Sequence, residues 1–217
     1  MNDQAPLDSF TGKWRERWPE WELAGVFLDG AQRERAAAWL ALLHELRDAA
    51  WAGAGAAPGL AKLAWWQEEL RGWAKGARRH PLGQALQKLD APWDGLGLAL
   101  AELPATRAPD SEEADARALA RFATALLACE SALFGAPPPR GDEVQATVAA
   151  LRAERAWVQG DGDAVRDCRG TITLAPGLSR VRRLQHAVVR LRAEAPGTGR
   201  VRPLRLLWAA WRAARGR

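Results

Sequence analysis

Tyrosine is missing from this 217-residue chain, and cysteine, histidine, methionine and lysine are scarce. The two cysteines, Cys129 and Cys168, cannot make a disulfide framework and lack the close spacing of a metal-binding pair. The three histidines, His44, His80 and His186, are too widely spread for a zinc pattern. The turn Gly160-Asp161-Gly162-Asp163 has the look of a calcium loop, but the downstream ligands are missing. No run of about 20 apolar residues exists, so a membrane-spanning helix is not expected. The opening residues, MNDQAPLDSF, lack the basic-then-apolar layout of a signal peptide. Together these absences point to a reducing compartment and to a cytoplasmic chain, either soluble or peripheral to a membrane.

What is abundant is tryptophan, alanine and arginine. There are 12 Trp against 4 Phe, and arginine outnumbers lysine 27 to 4. The codon usage of a GC-rich genome explains the excess of Ala, Arg, Gly and Pro without special chemistry. The length suits one domain, spanning 1–217, with a substantial core. Charge is unevenly placed: residues 166–217 hold 13 Arg against Asp167 and Glu194. That asymmetry suggests a basic face able to meet phosphate or anionic lipid.

Periodicity reads as helix nearly throughout. Leu63, Trp66, Leu70 and Trp73 form one stripe, Ala36, Trp39, Leu42, Leu43, Leu46 and Ala50 another. A restart at His80-Pro81 is expected to run to about Leu89, and a short helix to cover 91–103. Ser111 and the acidic residues after it open a helix that Gly135 closes, with Cys129 on its apolar stripe as a small core residue. Asp142 to Val158 and Arg180 to Glu194 are predicted helices, the latter carrying Val181, Leu184, Val188 and Leu191 on one side. The last helix, 203–215, has Leu204, Leu207, Trp208 and Trp211 along one face, which is expected to be buried. Trp14, Trp18 and Trp21 are expected to anchor the bundle, with Pro19 interrupting the helix. No strand-like alternation competes, so the fold class is all-α.

One segment is specific enough to name a relative. Leu63, Trp66 and Glu69, followed by His80, Pro81, Ala85 and Leu86, resemble a Leu-x-x-Trp-x-x-Glu helix and a His-Pro-x-x-x-Ala-Leu restart of the squalene/phytoene synthase family. The resemblance implies a shortened, single-domain bundle of the isoprenoid synthase type. It also implies two aspartate-rich motifs that hold magnesium against a prenyl diphosphate, since hard cations need oxygen ligands. The first, Asp-Asp-x-x-Asp, falls on Arg47, Asp48, Ala49, Ala50 and Trp51, where only Asp48 is acidic. The second belongs on the 142–158 helix, which offers Arg152, Glu154 and Arg155 without the pattern. A later family feature, Gly-Arg-x-Tyr-x-Pro, is echoed only faintly at 169–176.

The expectation is therefore a non-catalytic relative that binds a partner protein or an isoprenoid-like lipid, with no cofactor and no metal site. The family has such degenerate members, among them assembly factors for respiratory complex I. The alternative is an active prenyltransferase that joins farnesyl or geranylgeranyl diphosphates head to head and uses Mg2+. The candidate binding residues are Glu45, Arg47, Asp48, Glu68 and Glu69 around the degenerate motif; Glu45 and Asp48 share a helix face. Ion pairs with Arg47 or Arg71 on a solvated face are the structural reading of the same acids. Arg180–Arg217 is the candidate contact with an anionic membrane; nucleic acid is disfavoured, because no recognised module accompanies the charge.

Overall fold

The computed structural model describes residues 4–195 and 201–216. They form eleven α-helices and no strands: α1 (Gln4–Arg17), α2 (Trp21–Ala24), α3 (Gly30–Trp51), α4 (Ala57–Ala74), α5 (Leu82–Leu86), α6 (Trp93–Ala99), α7 (Glu112–Phe134), α8 (Gly141–Gln159), α9 (Gly162–Asp167), α10 (Arg180–Glu194) and α11 (Pro203–Arg215). The fold is all-α, and the buried apolar residues join in one core. Among the described residues no helix is long and apolar enough to cross a membrane.

Helix α3 is the axis. Asp29 caps it by accepting the Gln32 N–H at 2.8 Å. It packs on α1, α4, α5 and α8, so it is buried on nearly every side. The expected stripe at 36, 39, 42, 43, 46 and 50 is buried, and so are Ala37, Ala38, Leu40 and Ala41. Alanine on the remaining faces lets neighbouring helices approach closely. The approach is tightest where α4 begins: a Cβ placed on Gly59 would collide with the carbonyl oxygen of Ala49. Only glycine fits that crossing.

The α4 stripe is buried as its spacing requires, with Leu63, Trp66, Leu70 and Trp73 at 3 % exposure or less. An aromatic chain runs from it into the centre: Trp66 to Trp73 at 6.3 Å, Trp73 to Trp93 at 5.2 Å, Trp93 to Trp39 at 6.2 Å. Several core tryptophans also satisfy their indole N–H inside the core. Trp51 donates to Thr106 Oγ1, Trp73 to Glu69, and Trp93 to the Leu89 carbonyl. Trp14, Trp18 and Trp21 are buried too, with the α1–α2 break at Pro19 between them.

Three expectations need correction. The restart helix after Pro81 ends at Leu86, and the 91–103 segment divides into α6 and a 3-10 stretch over Leu100–Thr106. Pro104 within that stretch has no N–H to donate, and the segment takes i to i+3 bonding in place of a longer α-helix. The largest correction concerns α11. Leu206, Ala209, Ala210 and Ala213 face the bundle, whereas Leu204, Trp208 and Trp211 are exposed. The small-residue ridge lets α11 sit close against α10, and Arg183 of α10 clamps it by donating to the Ala213 carbonyl at 2.8 Å. Arg200 and Arg217 lie outside the described residues.

Candidate functional site

Helices α3, α7, α8 and α10 enclose the centre of the bundle, and their sequences put four charged residues there. Glu130 of α7 and Arg182 of α10 are an ion pair with side chains 1 % exposed. Glu130 also accepts from Trp39 Nε1 at 2.7 Å and from Ser179 Oγ at 3.0 Å. Arg47 of α3 meets Glu154 of α8 as a second buried ion pair. Glu154 accepts from Gln185 Nε2 at 2.8 Å, and Gln185 in turn accepts from Trp21 Nε1 at 2.7 Å. Side chains from five helices thus converge on a network that fills the middle of the fold. Buried charge is tolerated there because each ion faces an opposite charge and hydrogen-bonding groups.

Beside this network a cleft of about 430 Å³ opens between the end of α1, α3 and α8, lined in part by Glu16, Arg17, His44, Arg47, Asp48 and Trp157. Its floor is Arg47, whose Nε donates to the Leu43 carbonyl at 2.9 Å and whose Nη2 is buried without a hydrogen-bond partner. Burial, and then the neighbouring charge of Arg182, lowers the Arg47 guanidinium to about 9, with Glu130 acting in the opposite sense. His44 is held below the ordinary histidine range by burial and by Arg47. At the rim, the Arg192 guanidinium lies 4.0 Å from the ring centres of both Trp18 and Trp157 and pairs with Glu20. A second hollow of about 420 Å³ lies on the far side of Trp157 and reaches Arg166 and Arg169.

The candidate residues fare differently. Asp48 lines the cleft next to Arg47. Glu45 turns to Lys62, 2.7 Å away, and Glu68 is exposed near Arg79. Glu69 is buried and spoken for. It accepts from Trp73 Nε1 at 2.8 Å, from the backbone N–H of Arg79 and His80 at 2.7 and 2.8 Å, and from Arg79 Nε at 3.0 Å. Burial pushes its carboxyl up, and those hydrogen bonds outweigh the push, so it lies below the usual carboxylate range. It works as a latch between α4 and the His80-Pro81 turn, where His80 Nδ1 accepts the Leu82 N–H at 3.2 Å. The reading of Arg47 and Arg71 as partners on a solvated face is also corrected. Arg47 is buried against Glu154, and Arg71 lies 3.7 Å from Asp94. Arg152 and Arg155 of α8 both turn to Asp115.

These positions do not fit magnesium. Among the described residues no three His, Cys, Asp or Glu side chains converge. Beside Asp48, the Arg47 cation takes the opposing carboxylate, Glu154, as its own counter-charge. Sequence reasoning missed Glu130, Arg182, Gln185 and Arg192. The signal was present in part: Glu130 falls between Leu126 and Leu133 on the apolar stripe of α7, and Glu154 follows Leu151 by three on α8.

His186 has a further consequence. It is fully buried, its Nδ1 lies 3.0 Å from the Thr173 carbonyl, and its Nε2 has no partner. Burial first, then Arg182, lowers its pKa from 6.5 to about 3, while the Thr173 contact opposes them. The unfolded chain therefore binds a proton between those values that the folded chain does not, and stability is lost as pH falls below 6.5. From pH 7.5 to pH 5 this group alone is expected to remove about 2 kcal/mol. Urea unfolding at both pH values checks it: His186→Asn keeps a donor near Nδ1 and is expected to flatten the slope, whatever its absolute stability.

Searches against protein-family models, curated proteins and solved structures match nothing to this chain.

Proposed function

We propose that the chain is a non-catalytic relative of the squalene/phytoene synthases that acts by binding at its exterior. The observation that supports this reading is the Arg47–Glu154 pair, which joins the position of the first metal motif to the helix of the second. A prenyl diphosphate carries its charge as oxyanions and needs cations supplied by carboxylate-held metal. Here the facing carboxylate is neutralised internally. The same centre offers no apolar tunnel for an isoprenoid tail: Glu130, Arg182, Glu154 and Gln185 occupy it. The adjoining cleft is lined by Glu16, Arg17, His44 and Asp48, a setting that favours a polar group over a prenyl chain. A partner engaged through the outer surface fits this arrangement better than an isoprenoid-like lipid held within it.

The test is incubation with radiolabelled farnesyl or geranylgeranyl diphosphate and magnesium. Label is expected to remain in the substrate. Squalene, phytoene or their diphosphate precursors above a no-protein control would overturn the reading and restore the prenyltransferase.

A further inference from the structure

Helix α11 carries two apolar faces, and the bundle uses the weaker one. At 100° per residue Leu206, Ala209, Ala210 and Ala213 cluster on one side, and these are the buried residues. Leu204, Trp208 and Trp211 recur at i, i+4 and i+7 on the opposite side, at 82 %, 59 % and 38 % exposure. A solvent-facing stripe of one leucine and two tryptophans is costly in water and marks an interaction surface.

The charges around the stripe say what that surface meets. No acidic residue occurs on α11, while Arg202, Arg205, Arg212 and Arg215 are all exposed. The guanidinium of Arg212 lies 4.7 Å over the Trp208 ring and that of Arg215 4.5 Å over the Trp211 ring. Among the described residues neither of these two arginines meets a carboxylate, whereas Arg205 pairs with Glu194 at 3.2 Å. The wider basic surface expected over Arg180–Arg217 is narrower than its arginine content implies. Arg182 and Arg192 are buried ion-pair members, and Arg183 is used to clamp α11. Among the described arginines of this stretch, Arg202, Arg212 and Arg215 on or beside α11 and Arg180 at the start of α10 are the exposed ones without an ion pair.

We infer that α11 is an interfacial anchor that lays Leu204, Trp208 and Trp211 into the headgroup boundary of an anionic membrane. Tryptophan suits that depth, because its ring is apolar and its N–H reaches polar groups. The arginines on and beside the stripe then meet lipid phosphates instead of water. A helix with bulky apolar residues on one face and arginine beside them is built for such a plane, and it is held parallel to the surface by its alanine ridge on α10. Turnover of prenyl diphosphates would leave this surface intact, so it stands apart from the silent interior.

The experiment is co-sedimentation of the full chain with vesicles of phosphatidylcholine alone or mixed with phosphatidylglycerol, at low and high salt. Binding to the mixed vesicles at low salt, weakened by salt, is expected. Removing two charges in Arg212→Gln/Arg215→Gln is expected to weaken it about 30-fold, or about 2 kcal/mol at roughly 1 kcal/mol per arginine. Trp208→Ala/Trp211→Ala is expected to abolish it while the chain keeps its helical circular dichroism and a cooperative urea transition, since both rings lie largely outside the core. Trp65→Ala, which removes another tryptophan with an arginine over its ring, is expected to bind like the parent. Equal binding to neutral and anionic vesicles, no binding at low salt, or equal losses from Trp65 and the α11 tryptophans would overturn the inference.

Discussion

Glu130→Ala is expected to destabilise the protein by about 3–5 kcal/mol, the range for breaking a buried ion pair from one side. The substitution leaves the Arg182 guanidinium, itself 1 % exposed, without its counter-charge. It also strands the Trp39 indole N–H and the Ser179 hydroxyl, both of which donate to the lost carboxylate. The effect reaches further, because Glu130 supports the charged form of Arg47 while Arg182 opposes it. Glu130→Gln keeps the shape and one acceptor, so its cost is expected to be intermediate. Replacing both partners, as in Glu130→Leu/Arg182→Met, is expected to recover much of the loss, since no buried charge is then left alone. Urea midpoints of the parent, Glu130→Leu, Arg182→Met and Glu130→Leu/Arg182→Met make the double-mutant cycle. A loss below about 1 kcal/mol for Glu130→Ala would mean that water reaches Arg182 and that the centre is not closed.

That network marks the limit of what the sequence discloses. The helices were legible, because stripes such as 63, 66, 70 and 73 follow directly from one face meeting a core. One pair of end signals was legible too: Ser111 accepts a hydrogen bond from the first turn of α7, and Gly135 closes that helix with φ at 68°. Arg47 could be singled out, but its partner lies 107 positions away on α8, and pairing across helices leaves no local trace. A glutamate on an apolar stripe is a hint only in retrospect, since an exposed stripe edge looks the same. Helix α11 misled for a different reason. Hydrophobicity favours tryptophan inside, yet the bundle chose the alanine face, because close approach to α10 requires small side chains. Among the candidate acids, Glu69 was legible as special but not as a latch. Its four donors come from a turn ten or eleven residues onward and from Trp73 on its own helix.

Two adjacent tryptophans give the sharpest contrast in the core. Trp66 is 1 % exposed and Trp65 is 36 % exposed, although both are on α4 and their rings are 5.2 Å apart. Trp66 stacks obliquely on His80 at 4.5 Å and edge-on to Trp73 at 6.3 Å, so it joins the His80 turn to the aromatic chain that crosses to Trp39. Trp66→Ala removes those contacts and opens a cavity that rigid helices cannot close, at an expected cost of about 3–5 kcal/mol. The loss should also loosen the Glu69 latch, because Trp73 and His80 are both its donors and the neighbours of Trp66. Trp65→Ala gives up an aromatic edge contact and the Arg79 guanidinium 5.4 Å above its ring, both partly solvated, and is expected to cost about 1 kcal/mol. Urea unfolding of the two variants measures the difference. Equal destabilisation, or an unchanged melting temperature for Trp66→Ala, would show that α4 is not seated by its 63–66–70–73 stripe, and the aromatic chain would lose its role as the spine of the bundle.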